Sequence, residues 1–325
     1  MLPLPAFRLH RPRTLPEAVS MLHRFGSDAR VIAGGTDIVP NMKQGLVDAR
    51  SLVSLQHVEA LFGVEATSDS LSIGAMTSLD AVAADPRVRA GAPALAEAAE
   101  GVGGPHHRRM GTLGGNLCLD TRCRYYNQTY FWRSALGFCL KKDGSVCHVV
   151  AGGQKCVAAA SNDTAPALIA LEASVELESV RGRRVLDAKS FFTADGIRNT
   201  VMEADEIVSR VVVPTRAGRT SGFDKLRRRN AIDFPLLSIA ARVDRDGDAI
   251  AAVEVVVSAL AARPRRMAAA QKIAPGTSPA DIVGAITQAA KRECKPLDNI
   301  EGDAEWRHQM VPVVVGRLLS RVLGL

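Results

Sequence analysis

Aromatic residues make up only 4% of the chain, so its formal net charge of +7 does not translate into a nucleic-acid-binding surface. Basic stripes that grip single strands are interleaved with stacking rings, and no such stretch occurs here. No apolar run reaches the ~18 residues of a membrane span. The opening MLPLPAFRLHRPRT has two prolines before any apolar core could form, which argues against a secretory signal and for a cytoplasmic protein. The three-glycine dinucleotide fingerprint and the lysine-centred P-loop are also missing, as are internal repeats and low-complexity tracts. Cysteine is sparse and unevenly spent: of six residues, five fall between Cys118 and Cys156, and Cys294 stands alone as an inert thiol. In a reducing compartment such crowding points to ligands rather than disulfides. The positive charge suits a phosphate-rich cofactor, an anionic cluster or an acidic partner.

With 325 residues and 47% apolar content, the chain can bury more than one core. Thr14 and Glu17 form a capping box that predicts a helix over 15–25. Short strands are predicted at 30–33, 52–55, 61–65 and 71–75, then helices at 79–84 and 92–100 broken by Asp85-Pro86. Beyond these come a helix at 165–171, strands at 174–179 and 183–187, and a strong strand at 206–213 ended by Pro214. A charged linker, 216–222, precedes strands at 223–229, 235–243 and 249–259. Helical segments are predicted at 263–272, 279–292 and 304–322, the last bent by Pro312.

The chemistry gathers in two glycine-rich turns and the cysteine segment. A β-branched run ends in Gly34-Gly35-Thr36-Asp37, a turn whose amides no side chain shields. By itself it is an ordinary tight turn. A second turn, Gly111-Thr112-Leu113-Gly114-Gly115-Asn116, adds hydroxyl and carboxamide groups, and together the two would supply many donors to one diphosphate. The cysteines after it are separated by 15, 7 and 8 residues from Cys123 through Cys139 and Cys147 to Cys156. That spacing matches neither ferredoxin runs nor the paired short loops of structural zinc, so a cluster, a zinc ion and unligated thiols all stay open. His106 and His107 read as loop histidines without a chemical role. The basic run Lys225–Arg229 is bounded by strand patterns.

AGGTD at 33–37, RRMGTLGGN at 108–116, SNDTAPALIAL at 161–171, EIVSRVVVP at 206–214 and KLRRRNAIDFPLLSIA at 225–240 resemble, in order, the FAD-binding subunit of the molybdenum hydroxylases, the xanthine dehydrogenase and carbon monoxide dehydrogenase family. The resemblance implies an α+β chain. A two-lobed FAD-binding domain of the vanillyl-alcohol-oxidase type would span 1–216, with lobes at about 1–56 and 57–216. A C-terminal α/β domain of the carbon monoxide dehydrogenase flavoprotein type would span 222–325. It implies that Val31, Ile32, Ala33, Gly34, Gly35, Thr36, Asp37 and Ile38, with Gly111, Thr112, Leu113, Gly114, Gly115 and Asn116, carry the FAD diphosphate. Asp163, Val208 and Lys225 would contact the rest of the cofactor. The implied partners are a molybdopterin-binding large subunit and a [2Fe-2S] small subunit.

Against the family pattern, Asn116 and Asp163 are far apart, and an insertion covers about 119–158. Cys118 sits at a small-residue position that relatives without the insertion also have, which leaves Cys123, Cys139, Cys147 and Cys156. The insertion is similar to that of flavin subunits carrying an additional [4Fe-4S] cluster and served by ferredoxin. Its Arg122, Arg124, Arg133, Lys141, Lys142 and Lys155 would offset the cluster's charge and steer an acidic carrier. A chain shortened to the family length is expected to keep FAD-to-[2Fe-2S] transfer and to lose salt-sensitive exchange with ferredoxin.

Overall fold

The computed structural model describes residues 2–325, which form three sheets with helices packed between and around them. The first sheet is small and parallel, in the order β1 (Arg8–His10), β3 (Ser51–Ser54), β2 (Ala29–Ile32). Helix α1 (Leu15–Phe25) links β1 to β2, capped by the reciprocal Thr14 and Glu17 bonds. It buries Ala18, Val19 and Leu22 against Val53 and Leu61. The short helix α2 (Ile38–Lys43) follows the first glycine turn.

The second sheet is antiparallel and has five strands, ordered β4 (Val64–Ala66), β5 (Ser70–Gly74), β8 (Ile207–Pro214), β6 (Ser174–Ser179), β7 (Gly182–Asp187). Helices α3 (Leu79–Ala84), α4 (Pro86–Gly91), α5 (Pro93–Glu100), α6 (Pro105–Met110), α7 (Leu113–Leu117), α8 (Tyr130–Ala135), α9 (Thr164–Ala170) and α10 (Ala188–Phe191) lie within its span of sequence. Alanine-rich α5 and α9 are almost wholly buried, because small side chains let helices approach the sheet closely.

The third sheet is antiparallel, in the order β12 (Arg265–Arg266), β11 (Ala249–Ser258), β10 (Leu237–Asp246), β9 (Arg219–Leu226). Helices α11 (Pro279–Glu293) and α12 (Ala304–Leu323) cover one face of it, burying Ile282, Ile286, Val311, Val315 and Leu319. No described helix is long and apolar enough to cross a membrane.

Several elements depart from the expectation. Segment 263–272 is not helical: Arg265 and Arg266 pair with Val257 and Val256, and only a 3-10 turn follows at Ala270–Lys272. Pro264 disfavours helical backbone at the residue before it, and the sheet edge takes the arginines instead. Asp85-Pro86 both ends α3 and starts α4, since Asp85 accepts the amides of Arg87 and Val88. Strand β9 begins at Arg219, inside the expected linker, because Arg219 pairs with Asp244 across the sheet in addition to their backbone register. Helix α12 runs through Pro312 without a break.

Candidate functional site

An open cavity of about 440 Å³ is lined by parts of the first two sheets and by the loop between β9 and β10. Fourteen of the seventeen residues expected at the flavin line it: Val31, Ala33, Gly34, Gly35, Thr36, Asp37, Ile38, Gly111, Thr112, Gly114, Gly115, Asn116, Asp163 and Val208. The other three do not. Ile32 packs with Met42, Ala49 and Leu52, Leu113 is buried in the main core, and Lys225 stands behind Asp163.

The two glycine turns lie against each other. A Cβ at Gly34 would overlap the Met110 carbonyl, so this glycine is required for turn-to-turn packing as well as for an open cavity wall. Gly35 has φ +75°, a left-handed backbone that favours glycine. The turns are not equivalent in what they offer a ligand. In the second, the amides of Gly111, Leu113, Gly114, Gly115 and Asn116 are already bonded to His107 O, Thr77 O, Ala75 O, Thr112 Oγ1 and Thr112 O. Asn116 Oδ1 is likewise taken, accepting from the amide and hydroxyl of Thr164 at 3.0 and 2.7 Å. In the first, no acceptor among the described residues serves the amides of Gly34, Gly35, Thr36, Asp37 or Ile38. The free donors therefore come from the first turn, and the second forms the opposing wall.

Asp163 closes the inner side. Lys225 Nζ donates to its Oδ2 at 2.7 Å and to Gly101 O at 3.0 Å, while Asp163 Oδ1 is buried with no partner among the described residues. Burial pushes the Asp163 carboxyl up, and the Lys225 ammonium pulls it back only in part. An orphaned buried acceptor on a cavity wall is a group shaped for a ligand's donor. Ile232, Asp233 and Phe234, from the loop between β9 and β10, complete the rim. Sequence reasoning missed them because nothing local marks a residue that crosses from another sheet, although Ile232 at φ +59° is an unusual backbone for a β-branched side chain.

Segment 119–158 forms a second, smaller feature. Cys123, Cys139, Cys147 and Cys156 all line one apolar cavity of about 20 Å³, with Tyr126, Lys141 and His148 around them. Cys118 lies apart on the wall of the large cavity, its Sγ 3.6 Å from Met202 Sδ. Burial pushes the Cys123 thiol up to about 11, opposed by a hydrogen bond from the Tyr125 amide and reinforced by the Cys156, Cys139 and Cys147 thiols. Loading the Cys123 sulfur with metal must therefore release its proton. Among the described residues no three Cys, His, Asp or Glu side chains converge closely enough to hold a single metal ion.

The loop's cations are largely committed. Arg122 pairs with Asp37, Arg124 with Asp298, Arg133 with Asp143, Lys141 with Asp120 and Lys142 with Asp48. Lys141 also donates to Gly196 O at 2.8 Å and sits 4.5 Å from the Tyr126 ring. This corrects the expectation of a free basic surface that steers an acidic carrier, since paired charges project little field beyond a Debye length. Exposed Tyr130, Phe131 and Trp132 on α8 stand there instead.

The sequence bears out this architecture. Residues 5–216 match the model of the FAD binding domain in molybdopterin dehydrogenase, and residues 221–322 that of the CO dehydrogenase flavoprotein C-terminal domain. The chain belongs to this family of FAD-binding molybdenum hydroxylase subunits. It is 28% identical to the carbon monoxide dehydrogenase medium chain of Hydrogenophaga pseudoflava over 97% of this chain and 96% of that one. Against the nicotine 6-hydroxylase medium subunit of Paenarthrobacter nicotinovorans the identity is 26%, with 97% of each chain covered. A solved structure of the Hydrogenophaga carbon monoxide dehydrogenase superposes with a TM-score of 0.79 at 26% identity, covering 99% of both chains.

Proposed function

We propose that this chain is the flavin and iron–sulfur subunit of a molybdenum enzyme that reductively dehydroxylates 4-hydroxybenzoyl-CoA, resembling the flavin subunit of 4-hydroxybenzoyl-CoA reductase. The observation that carries the reading is the convergence of Cys123, Cys139, Cys147 and Cys156 on one cavity, in a segment inserted between the second glycine turn and Asp163 of an FAD-binding chain. Four thiols lining one cavity suit a thiolate-ligated cluster, which the resemblance implies. The cavity of about 20 Å³ is smaller than a [4Fe-4S] cluster, so it would have to widen on loading.

FAD, when bound, supplies the exchange between two-electron and one-electron carriers. The protein's own part is to hold it. The free amides of Gly34–Ile38 would accept the diphosphate, the second turn would wall it in, and Asp163 Oδ1 would take a donor from the rest of the cofactor. Lys225 would favour the ionised form of that carboxyl from behind, without lining the cavity itself.

In this reading a molybdopterin-binding large subunit and a [2Fe-2S] small subunit complete the enzyme, with ferredoxin as electron donor. The two family domains would divide at about 216–222, with the FAD-binding part in lobes near 1–56 and 57–216. The aryl-CoA would bind the molybdenum subunit. The test is to assay the assembled complex anaerobically with reduced ferredoxin and 4-hydroxybenzoyl-CoA. Benzoyl-CoA as product supports the proposal, and no turnover by a fully loaded complex opposes it. A second reading, the FAD subunit of an oxidative molybdenum hydroxylase, draws support from the relatives, which are named for carbon monoxide and nicotine. It predicts FAD without iron in this chain.

A further inference from the structure

Arg122 is the first residue before the cysteine set, yet its side chain leaves the inserted segment. Its guanidinium pairs with Asp37 Oδ1, lies 3.4 Å from Asn41 Oδ1 and stacks 4.4 Å from the centre of the Phe234 ring. The side chain is 11% exposed, and its Nε is buried without a partner among the described residues. Three distant parts of the chain thus meet on one cation: the first glycine turn, the insertion and the β9–β10 loop. Asp37 and Phe234 both line the large cavity.

The Asp37 carboxylate poses an electrostatic problem. It belongs to the turn whose five amides are free, where an anionic diphosphate would sit, and a carboxylate there repels that anion. Asp37 does not cap its own helix either. Its two oxygens are occupied by Asn41 Nδ2 at 3.0 Å and by Arg122. A buried guanidinium that cancels this charge converts the turn from a mixed surface to one an anion can enter.

We propose that Arg122 is a positioning residue of the FAD site: it neutralises Asp37 and seats Phe234 at the rim, so the flavin cavity is complete only when the inserted segment is folded. This rests on the FAD assignment of the cavity. Its consequence is reciprocal coupling, in which an ordered insertion favours FAD and bound FAD favours an ordered insertion.

The test is FAD binding to the deflavinated full-length chain, followed by quenching of flavin fluorescence. Arg122→Gln should weaken FAD at least tenfold, and Arg122→Lys, which keeps the charge, should restore most of the affinity. Adding Asp37→Asn to Arg122→Gln should also recover binding, because the charge to be offset is gone. A purely structural role for Arg122 predicts no such recovery. Binding by Arg122→Gln within twofold of the wild type, or a double variant as weak as Arg122→Gln alone, would overturn the proposal. If Arg122→Gln does not fold, Asp37→Asn alone decides: equal or tighter binding supports the account, and tenfold weaker binding overturns it. Failure of the wild type to bind FAD would defeat the site assignment itself, a distinct result.

Discussion

A single added carbon at Gly34 overlaps the Met110 carbonyl, so this position tests whether the two glycine turns must touch. Gly34→Val should cost ~1–3 kcal/mol of stability through overpacking and should empty the flavin site, read as lost flavin absorbance after gel filtration. Full flavin occupancy would mean the turns tolerate separation. The cysteines divide as sharply: Cys139→Ala should lose the metal centre or leave it incomplete, and Cys118→Ala should keep it, because Cys118 faces the other cavity. Iron content of the two variants decides. At Lys225, replacement by methionine strands a buried carboxylate and should cost on the order of 3–5 kcal/mol in a urea titration at neutral pH. Burial already raises Asp163 above its ordinary 3.8, and removing the ammonium raises it further. A raised carboxyl contributes stability below its unfolded value and loses it as pH rises through the folded one, so the deficit of Lys225→Met should shrink as pH is lowered. A deficit that grows on acidification would contradict this.

Elements are held to one another by a few charged joints, of which Glu172 is the clearest. It follows α9 and receives Arg219 at 3.0 Å and Arg242 at 2.6 Å, from β9 and β10. Burial would raise its carboxyl, but the hydrogen bonds from Arg242 and then Arg219 hold it down at about 2. A depressed carboxylate stabilises above its ordinary 4.5 and loses that contribution as pH falls toward 2. Glu172 is 46% exposed, so solvent screening limits the effect to ~1 kcal/mol. Glu172→Gln should therefore lower the thermal midpoint at pH 7 and leave it unchanged near pH 2. Such joints are invisible in sequence, whereas the elements they join were mostly legible. Helix α1 announced itself through Thr14, Glu17 and a 3.6-residue apolar period, and β6 through alternation. Reading failed where tertiary pairing overrode local pattern, as at Arg265–Arg266, and where short caps such as Thr112 turned an apparent loop into α7.

For the whole molecule, segment 119–158 is a clamped part of the structure rather than an appendage. Arg122 and Ala159 bond reciprocally at 2.8 and 2.7 Å, closing its base. Asn299 from the C-terminal part accepts the Arg124 amide at 2.7 Å and donates to Val157 O at 2.6 Å. Leu119 and Asp120, within its first residues, line the flavin cavity. A chain shortened across 119–158 should accordingly lose FAD affinity, the reverse of what the family pattern suggests. The cavity-lining glycines could be read from motif, whereas the four cysteines needed the resemblance to the family, which set Cys118 aside. Arg122, Ile232 and Phe234 could not, because their roles exist only once distant segments meet. Whether one chain holds both a flavin and a thiolate-bound cluster is tested most directly by the visible spectrum together with flavin, iron and zinc analysis of anaerobically purified protein. The account predicts stoichiometric FAD and iron in the proportion of one [4Fe-4S] cluster per chain. FAD with no iron, or zinc in its place, would contradict it.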